Sequence, residues 1–331
     1  MSEILSNIKM FGNKILVKKK YKIVVCLFFI TYFLIGTGIF KDYSVSWDES
    51  AARERGKLSV EYVINGNQSL FSIEGKYHGP AFEMLLFTIE KYLNLSRDSR
   101  AIYLMRHFVT FLLFYTSVWF FYLLCKRGFQ SWRIGLLGSL FLIMSPRLFA
   151  HSFYNSKDVA FLAFFIISIY TLVRFLDKKT LGNAFLHALT CALLVDVRIP
   201  GVIIPFFTLI SFGIDLLTTK SENGERKKII KNLLGYVILL ICFIILFWPF
   251  LWPHPFRHFI ESFKLMVHYS PASRTENLYL GKYLKSTNLP WHYIPLWVII
   301  STPIIYTIFF FVGCFASLKL LLKNPKNSAL S

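Results

Sequence analysis

The stretch YKIVVCLFFITYFLIGTGIFKDYSVSWDES (Tyr21–Ser50) contains the two features from which we argue the fold and the function. Its first twenty residues include one charged side chain, Lys22, and are as long as a helix that crosses a bilayer. The acidic pair Asp48-Glu49 follows within ten residues. Two carboxylates so close to a membrane helix are costly unless they face water or a polar cavity. The stretch therefore predicts a membrane span that ends at a polar site.

The composition of the whole chain is typical of a polytopic membrane protein. Of its 331 residues 55% are hydrophobic and 17% are charged, whereas soluble domains are about 25% charged. Five scattered cysteines share no metal-ligand spacing, so we interpret them as small apolar residues. No small-residue cleavage site follows the first apolar run, which we expect to be a retained span.

Eight apolar runs have lengths that suit membrane spans. They cover about 21–40, 104–125, 134–150, 158–176, 182–196, 200–218, 231–250 and 293–320. The sequence shows neither a strand pattern nor an internal repeat, and we predict a single transmembrane domain over 1–331 without a separate soluble domain. The fold class that we predict is an all-α polytopic membrane protein with about eight transmembrane helices.

The net charge of +19 is distributed unevenly between the two sets of connecting segments. If the N-terminus is cytoplasmic, the cytoplasmic segments hold 20 Lys and Arg against 4 Asp and Glu, and the outer segments hold 17 against 13. This asymmetry is the positive-inside pattern. We therefore explain the basic clusters by topology and by contact with anionic lipid, and we expect no nucleic-acid partner.

The segment GPAFEMLLFTIEKYL (Gly79–Leu93) is apolar but short, and it contains Glu83, Glu90 and Lys91. If it crossed the membrane, every later basic segment would lie on the outer side. We interpret it as a helix at the outer interface with its apolar face in lipid. The first outer loop then covers 41–103 and the last outer loop covers 251–292, and we assign the tryptophans at 248, 252 and 291 to the interfacial aromatic belt.

This topology brings most of the unusual polar residues to the outer face, where carboxylates and cations can meet. Carboxylates there could activate a hydroxyl group, and Arg or Lys could hold a lipid-linked phosphate. For Asp48-Glu49 the alternative is a solvated loop pair or a helix cap.

Three segments in order resemble the protein O-mannosyltransferase family, which belongs to the GT-C class of membrane glycosyltransferases. They are SWDES after the first span, HGPAFEMLLF, and the IYLMRHF that begins the second span. SPRLFAHSFYNSKD (Ser145–Asp158) is similar to the second outer loop of related bacterial enzymes, and LPWHYIPLWVIISTP is similar to a segment before a late span. His78-Gly79-Pro80 differs from the family's usual His-Pro-Pro at its second residue.

The resemblance implies a GT-C-like fold and a sugar donor linked to polyprenyl or dolichyl phosphate. It matches the family's acidic pair with Asp48-Glu49, its basic residue at the second span with Arg106, and its acid at the following span with Asp158. We expect Asp48 to be the general base and Glu49 to support it.

The remaining candidates follow from position and chemistry. We expect the donor phosphate to meet Arg106, whose planar fork matches phosphate oxygens, although a snorkelling Arg at a span end is the alternative. Lys157, Arg198 and Arg147 are further candidates for the phosphate, with plain interfacial anchoring as the alternative. Asp158, His78 and Asn155 are candidates for an acceptor or cation site, although Lys157 and Asp158 could instead pair with each other. Whether the reaction requires a divalent cation stays open.

We thus predict a multi-pass glycosyltransferase of the plasma or inner membrane that acts on its extracytoplasmic face, with membrane lipids around it. Its acceptor would be a protein or an envelope glycan or lipid. Two alternatives remain from sequence, namely a lipid or solute transporter and an inactive scaffold of the same fold. Transporters usually show internal repeats and broken helices near the mid-membrane, which disfavours the first.

Overall fold

The computed structural model describes residues 2–218, 223–267 and 276–323, with the side chains of the first twenty residues outside the description. Within these ranges the chain forms thirteen α-helices and one β-hairpin, apart from short 3-10 turns. The bounds are α1 Ser2–Ile39, α2 Glu49–Asn65, α3 Ala81–Tyr92, α4 Ser99–Gly128, α5 Trp132–Met144, α6 Pro146–Tyr154, α7 Asp158–Asp177, α8 Leu181–Val197, α9 Ile203–Thr218, α10 Asn223–Phe247, α11 Pro255–Val267, β1 Glu276–Tyr279, β2 Lys282–Lys285, α12 Tyr293–Ser301 and α13 Ile304–Lys323.

The predicted all-α polytopic membrane fold is confirmed. Among the described residues, five helical segments are long and apolar enough to span a membrane, or up to seven if two bent helix pairs each count as one span. The 17 residues of α8 rise only about 25 Å, which is short of a hydrocarbon core about 30 Å thick. The eight predicted apolar runs are thus helical, but three of them differ from a straight span.

Two predicted spans are bent where a proline begins the next helix. The helices α5 and α6 meet at 70° at Pro146, and α12 and α13 meet at 114° at Pro303. Proline lacks the N–H that would continue the preceding helix and disfavours helical geometry in the residue before it. The apolar runs over 134–150 and 293–320 are therefore each formed by two helices with a bend between them.

The chain also contains one short β-hairpin that no pattern in the sequence predicts, in which β1 and β2 pair antiparallel from Glu276↔Lys285 to Tyr279↔Lys282. Their turn has Leu280 and Gly281 at positive φ, 49° and 79°. A four-residue strand is too short for the alternation of polar and apolar residues to be distinguished from a loop.

The chain divides into two compact units, Met1–Met266 and Val267–Ser331. In the first unit, α1 packs on α4 through an aromatic core that includes Phe29, Phe111 and Phe114. A Cβ on Gly36 would come within 1.9 Å of the Phe111 ring, so that glycine permits the close approach of the two helices. A second core joins α7, α8, α9 and α10 around Phe175, Ala188 and Phe212.

We predicted that the apolar face of α3 lies in lipid, but this face packs against other helices. Phe82 and Leu86 are buried against Ala160 of α7 and Val197 of α8. The buried face of α3 also carries Glu83. Trp248 likewise is not part of an aromatic belt, because it is fully buried and its Nε1 donates a hydrogen bond to the Lys76 carbonyl oxygen at 3.1 Å.

The 12 residues of α3 rise about 18 Å and cannot cross the bilayer, so both of its ends should face the same side of the membrane. We predict that cysteines placed singly at the exposed positions Ser69 and Ser99 react with an impermeant maleimide from one side. Gln130→Cys, in the basic segment after α4, is the matched control and should react from the opposite side. Reaction at Ser69 and Ser99 from opposite sides would contradict this topology.

Candidate active site

The two carboxylates of the acidic pair have different surroundings. The helix α2 begins at Glu49, so Asp48 occupies the position just before it, and its side chain makes no capping hydrogen bond. Asp48 is exposed, whereas only 3% of Glu49 is exposed. One carboxylate is therefore available to a ligand and the other is part of the protein interior.

Glu49 is held by two groups. The Ser46 backbone N–H donates to its Oε2 at 2.7 Å, and Nε2 of His107 on α4 lies 3.1 Å from its Oε1. Because a carboxylate only accepts hydrogen bonds, the His107 Nε2 atom carries a proton in this contact. The pair fixes the start of α2 to α4 and so fixes where Asp48 stands.

Arg106, which we predicted to meet the donor phosphate, does not lie open at the bilayer surface. Its side chain is 1% exposed and forms an ion pair with Glu83 of α3. The same carboxylate accepts a hydrogen bond from Ser156 Oγ. Arg106 is therefore engaged in joining α3 to α4 and to the segment before α7.

Lys157 is half-buried and is a stronger candidate than Arg106 for contact with a phosphate. It immediately precedes α7, and within the described ranges its ammonium group has no hydrogen bond or ion pair. Burial lowers the pKa of Lys157, and repulsion from Arg198 and Arg55 lowers it further, while Asp158 and Asp48 oppose this. The charges of two guanidinium groups and of Asp48 therefore act on this ammonium group.

Arg55 was absent from the sequence prediction and belongs to this cluster. It lies on α2 and is buried, and its Nε has no hydrogen-bond partner. Burial lowers the pKa of Arg55, and the carboxylates of Glu83 and Asp196 oppose that effect. Arg55 follows Asp48 by seven residues, which places both on one face of α2, and this spacing could have identified it.

His78 lies among the same cations but does not add to their charge. Burial, followed by repulsion from Lys157, Arg55 and Arg198, lowers its pKa from 6.5 to about 3. The ring is therefore neutral near pH 7 and can accept or donate a single hydrogen bond.

Asp158 is paired with Arg198, at the end of α8, rather than with Lys157. Its second oxygen accepts a hydrogen bond from Asn155 Nδ2 at 3.1 Å, and Asn155 also lies 2.9 Å from His151 Nδ1. These side chains form one edge of the cation cluster. Arg147 lies on α6, is exposed, and forms no ion pair with a described residue.

Asp196, near the end of α8, is fully buried. One oxygen accepts the Ala81 backbone N–H at 2.7 Å, and the other has no hydrogen-bond partner. A Cβ on Gly79 would lie 2.2 Å from the Asp196 carbonyl oxygen. Glycine in the second position of His78-Gly79-Pro80 is thus required by the close approach of α8.

The described residues contain no group of three or more His, Cys, Asp and Glu side chains that could hold a metal ion. Asp48 and Asp158 are both near Lys157, but Asp158 is already engaged by Arg198 and Asn155. The arrangement as a whole is an exposed carboxylate whose charge acts on a group of cations, of which Lys157 and Arg55 form no ion pair with a described residue. Such a group suits an anion such as a phosphate.

Comparison with known families gives a match to dolichyl-phosphate-mannose-protein mannosyltransferase over residues 86–251. The match covers half of the chain, and the chain belongs to this family. A membrane glycosyltransferase of the GT-C type follows from that membership. Comparisons with curated proteins and with solved structures give no match. The matched residues include α4, the segment around Lys157 and the end of α8. Asp48 and Arg55 lie before the matched range.

The lowered pKa of His78 predicts a pH dependence of stability. Between pH 6.5 and about 3 the unfolded chain binds a proton at this ring that the folded protein does not bind. The corresponding stability is present above pH 6.5 and is lost as the pH falls. The unfolding temperature of the wild type in detergent should therefore fall more than that of His78→Gln between pH 7.5 and 4.5. His254→Gln, at an exposed ring, is the control. Parallel curves for wild type and His78→Gln would contradict the assignment.

Proposed function

We propose that this member of the family transfers a sugar from a polyprenyl-phosphate donor to an acceptor hydroxyl or amine on the extracytoplasmic face of the membrane. The observation that carries the proposal is the exposed carboxylate of Asp48, whose charge acts on Lys157 and Arg55, two cations that form no ion pair with a described residue. The family supplies the class of reaction, and the arrangement of these residues supplies their roles.

The cations would hold the donor phosphate. In a polyprenyl-phosphate sugar the phosphate is a diester with one negative charge, and it leaves as a monoester that gains a second charge. Fixed cations in a partly dehydrated site stabilise that developing charge without the reorganisation that water requires. Lys157 and Arg55 form no ion pair with a described residue, and Arg198 contributes its charge while it pairs with Asp158. A general acid is unnecessary because the leaving group is already a good one.

Asp48 would act as the general base. It accepts the proton of the acceptor as the acceptor oxygen or nitrogen bonds to the anomeric carbon and the carbon–oxygen bond to the phosphate breaks. A single in-line displacement of this kind inverts the anomeric configuration. Glu49 does not touch the substrate in this scheme. It holds the loop of Asp48 through Ser46 and His107.

The acceptor would approach Asp158 and Asn155 at the edge of the cation cluster, with His78 among the neighbouring cations. These groups offer a carboxylate, an amide and a neutral imidazole, which together can bind hydroxyl or amide groups. The acceptor class is accordingly a protein or an envelope glycan or lipid. The positive-inside asymmetry of the sequence supports the extracytoplasmic side, and we place the protein in the plasma or inner membrane as part of the proposal.

Substitution of the acidic pair tests this division of roles. Asp48→Asn should lower turnover by about 10²–10⁴-fold with little change in folding, because it removes the proton acceptor and preserves the shape. Glu49→Gln should instead lower the thermal stability, because a buried contact to His107 loses its charge. Release of polyprenyl phosphate from polyprenyl-phosphate mannose and the unfolding temperature are the two measurements. Turnover at the wild-type rate in Asp48→Asn would exclude the mechanism.

The phosphate site is tested by Lys157→Gln. Loss of a charge-assisted contact should weaken donor binding about 10–100-fold and lower turnover as well, because the phosphate is present in both the ground and the transition state. Lys91→Gln, at an exposed lysine of the same outer region, is the control and should leave donor binding unchanged. Arg106→Lys should mainly lower the unfolding temperature, since Arg106 pairs with buried Glu83. If Lys91→Gln and Lys157→Gln weakened donor binding equally, the site would lie elsewhere.

A further inference from the structure

An apolar groove with two lysines at one end lies along α10, far from the acidic pair in the sequence and at the basic end of the helix. We define it as the basic groove. Its volume is about 470 Å³, and its lining is Leu181, Lys227, Ile230, Lys231, Leu234, Gly235 and Ile238. Six of these residues come from α10 at intervals of three, four, seven, eight and eleven residues, so they form one stripe on the helix surface.

Gly235 and Leu181 determine the shape of the basic groove. A Cβ at Gly235 would lie 3.1 Å from Leu181 Cδ2, which is closer than ordinary contact. The absence of a side chain at 235 lets the first turn of α8 approach α10 and leaves a channel between Leu181, Leu234 and Ile238. These three apolar side chains are exposed in the protein alone.

The neighbouring helix ends are locked together, so the walls of the basic groove are preformed. Asn232 Nδ2 donates to the Lys179 carbonyl oxygen at 2.5 Å, and Lys179 Nζ lies 2.8 Å from Asp215 Oδ2. Asn232 is on α10, Lys179 lies two residues before α8, and Asp215 is on α9. A preformed site loses little conformational entropy when it binds a ligand.

The charges at this end are not balanced among the described side chains. Asp177 pairs with Arg127, and Asp215 pairs with Lys179. Lys227 and Lys231 are exposed and form no ion pair within the described part of the chain. Among the described side chains, no carboxylate therefore neutralises these two lysines, and both can bind a ligand anion.

From this geometry we propose that the basic groove binds an anionic glycerophospholipid of the leaflet at the basic ends of the helices. The phosphate would lie between Lys227 and Lys231, and an acyl chain would run along Leu234, Gly235 and Ile238. Lysines near a membrane surface attract anionic lipid, and this groove adds an apolar channel that aligns one chain with one headgroup. The site is distinct from the proposed donor site, and the proposal does not depend on the proposed reaction.

Native mass spectrometry of the full chain with dioleoylphosphatidylglycerol tests the proposal. The wild type should retain this lipid in preference to dioleoylphosphatidylcholine. The double variant Lys227→Gln/Lys231→Gln should bind dioleoylphosphatidylglycerol about tenfold more weakly, because two attractive contacts with the phosphate are lost. The matched control Arg226→Gln/Lys228→Gln removes the same charge from positions outside the stripe and should retain wild-type binding.

Gly235→Leu provides a second test that leaves every charge in place. The added side chain fills the channel, so the protein should lose the preference for the anionic lipid while both lysines remain. Equal losses in the two charge variants would overturn the proposal, because they would indicate a diffuse electrostatic effect. Stronger retention of polyprenyl phosphate than of dioleoylphosphatidylglycerol would overturn the assignment to a glycerophospholipid.

Discussion

The buried ion pair between Arg106 and Glu83 is the constraint on which the arrangement of the outer ends of the helices depends. Both side chains are removed from water, so each needs the other to offset a desolvation cost of several kcal/mol. The pair joins α4 to α3, and the hydrogen bond from Ser156 adds the segment that leads into α7. Removal of one partner from such a pair generally costs about 3–5 kcal/mol, because the remaining charge stays buried. The helix α3 is short, and hydrophobic burial alone does not specify its orientation. The ion pair with Arg106 fixes that orientation.

This pair also determines which cations remain for a ligand. Glu83 neutralises Arg106 and opposes part of the burial effect at Arg55, whereas Asp158 pairs with Arg198. Lys157 forms no ion pair with a described residue, and two guanidinium groups repel its ammonium group. A further cation would add to this repulsion. An anion relieves this repulsion. Lys157, Arg55 and Arg198 repel one another in the free protein. A bound phosphate relieves this repulsion, which strengthens its binding.

The sequence predicts the membrane class, the apolar segments and the general location of the polar residues, because these depend on composition and on local patterns. The sequence alone does not predict that Asp48 is exposed and Glu49 is buried. Adjacent residues point about 100° apart on a helix, and only the position of His107 decides which one is buried. The burial of Arg106 was missed for a related reason. Glu83 was interpreted as part of a helix at the lipid interface, and a single sequence does not reveal that 23 residues separate the partners of a buried pair. Arg55, by contrast, could have been found from its spacing to Asp48 on α2.

The departures from straight spanning helices have a common consequence for the site. The helix α8 ends early, and its last turn places Asp196 under Gly79 while Arg198 follows it toward Asp158. The bend at Pro146 turns α6 across the ends of the helices, so that His151 and Asn155 reach the first turn of α7. Polar side chains at a membrane interface are tolerated when they bind one another or face a cavity. Short and bent helices bring such polar groups together at one end, whereas helices that all crossed the full bilayer would separate them in space. The same features that weakened the prediction of spans therefore bring the candidate catalytic residues together.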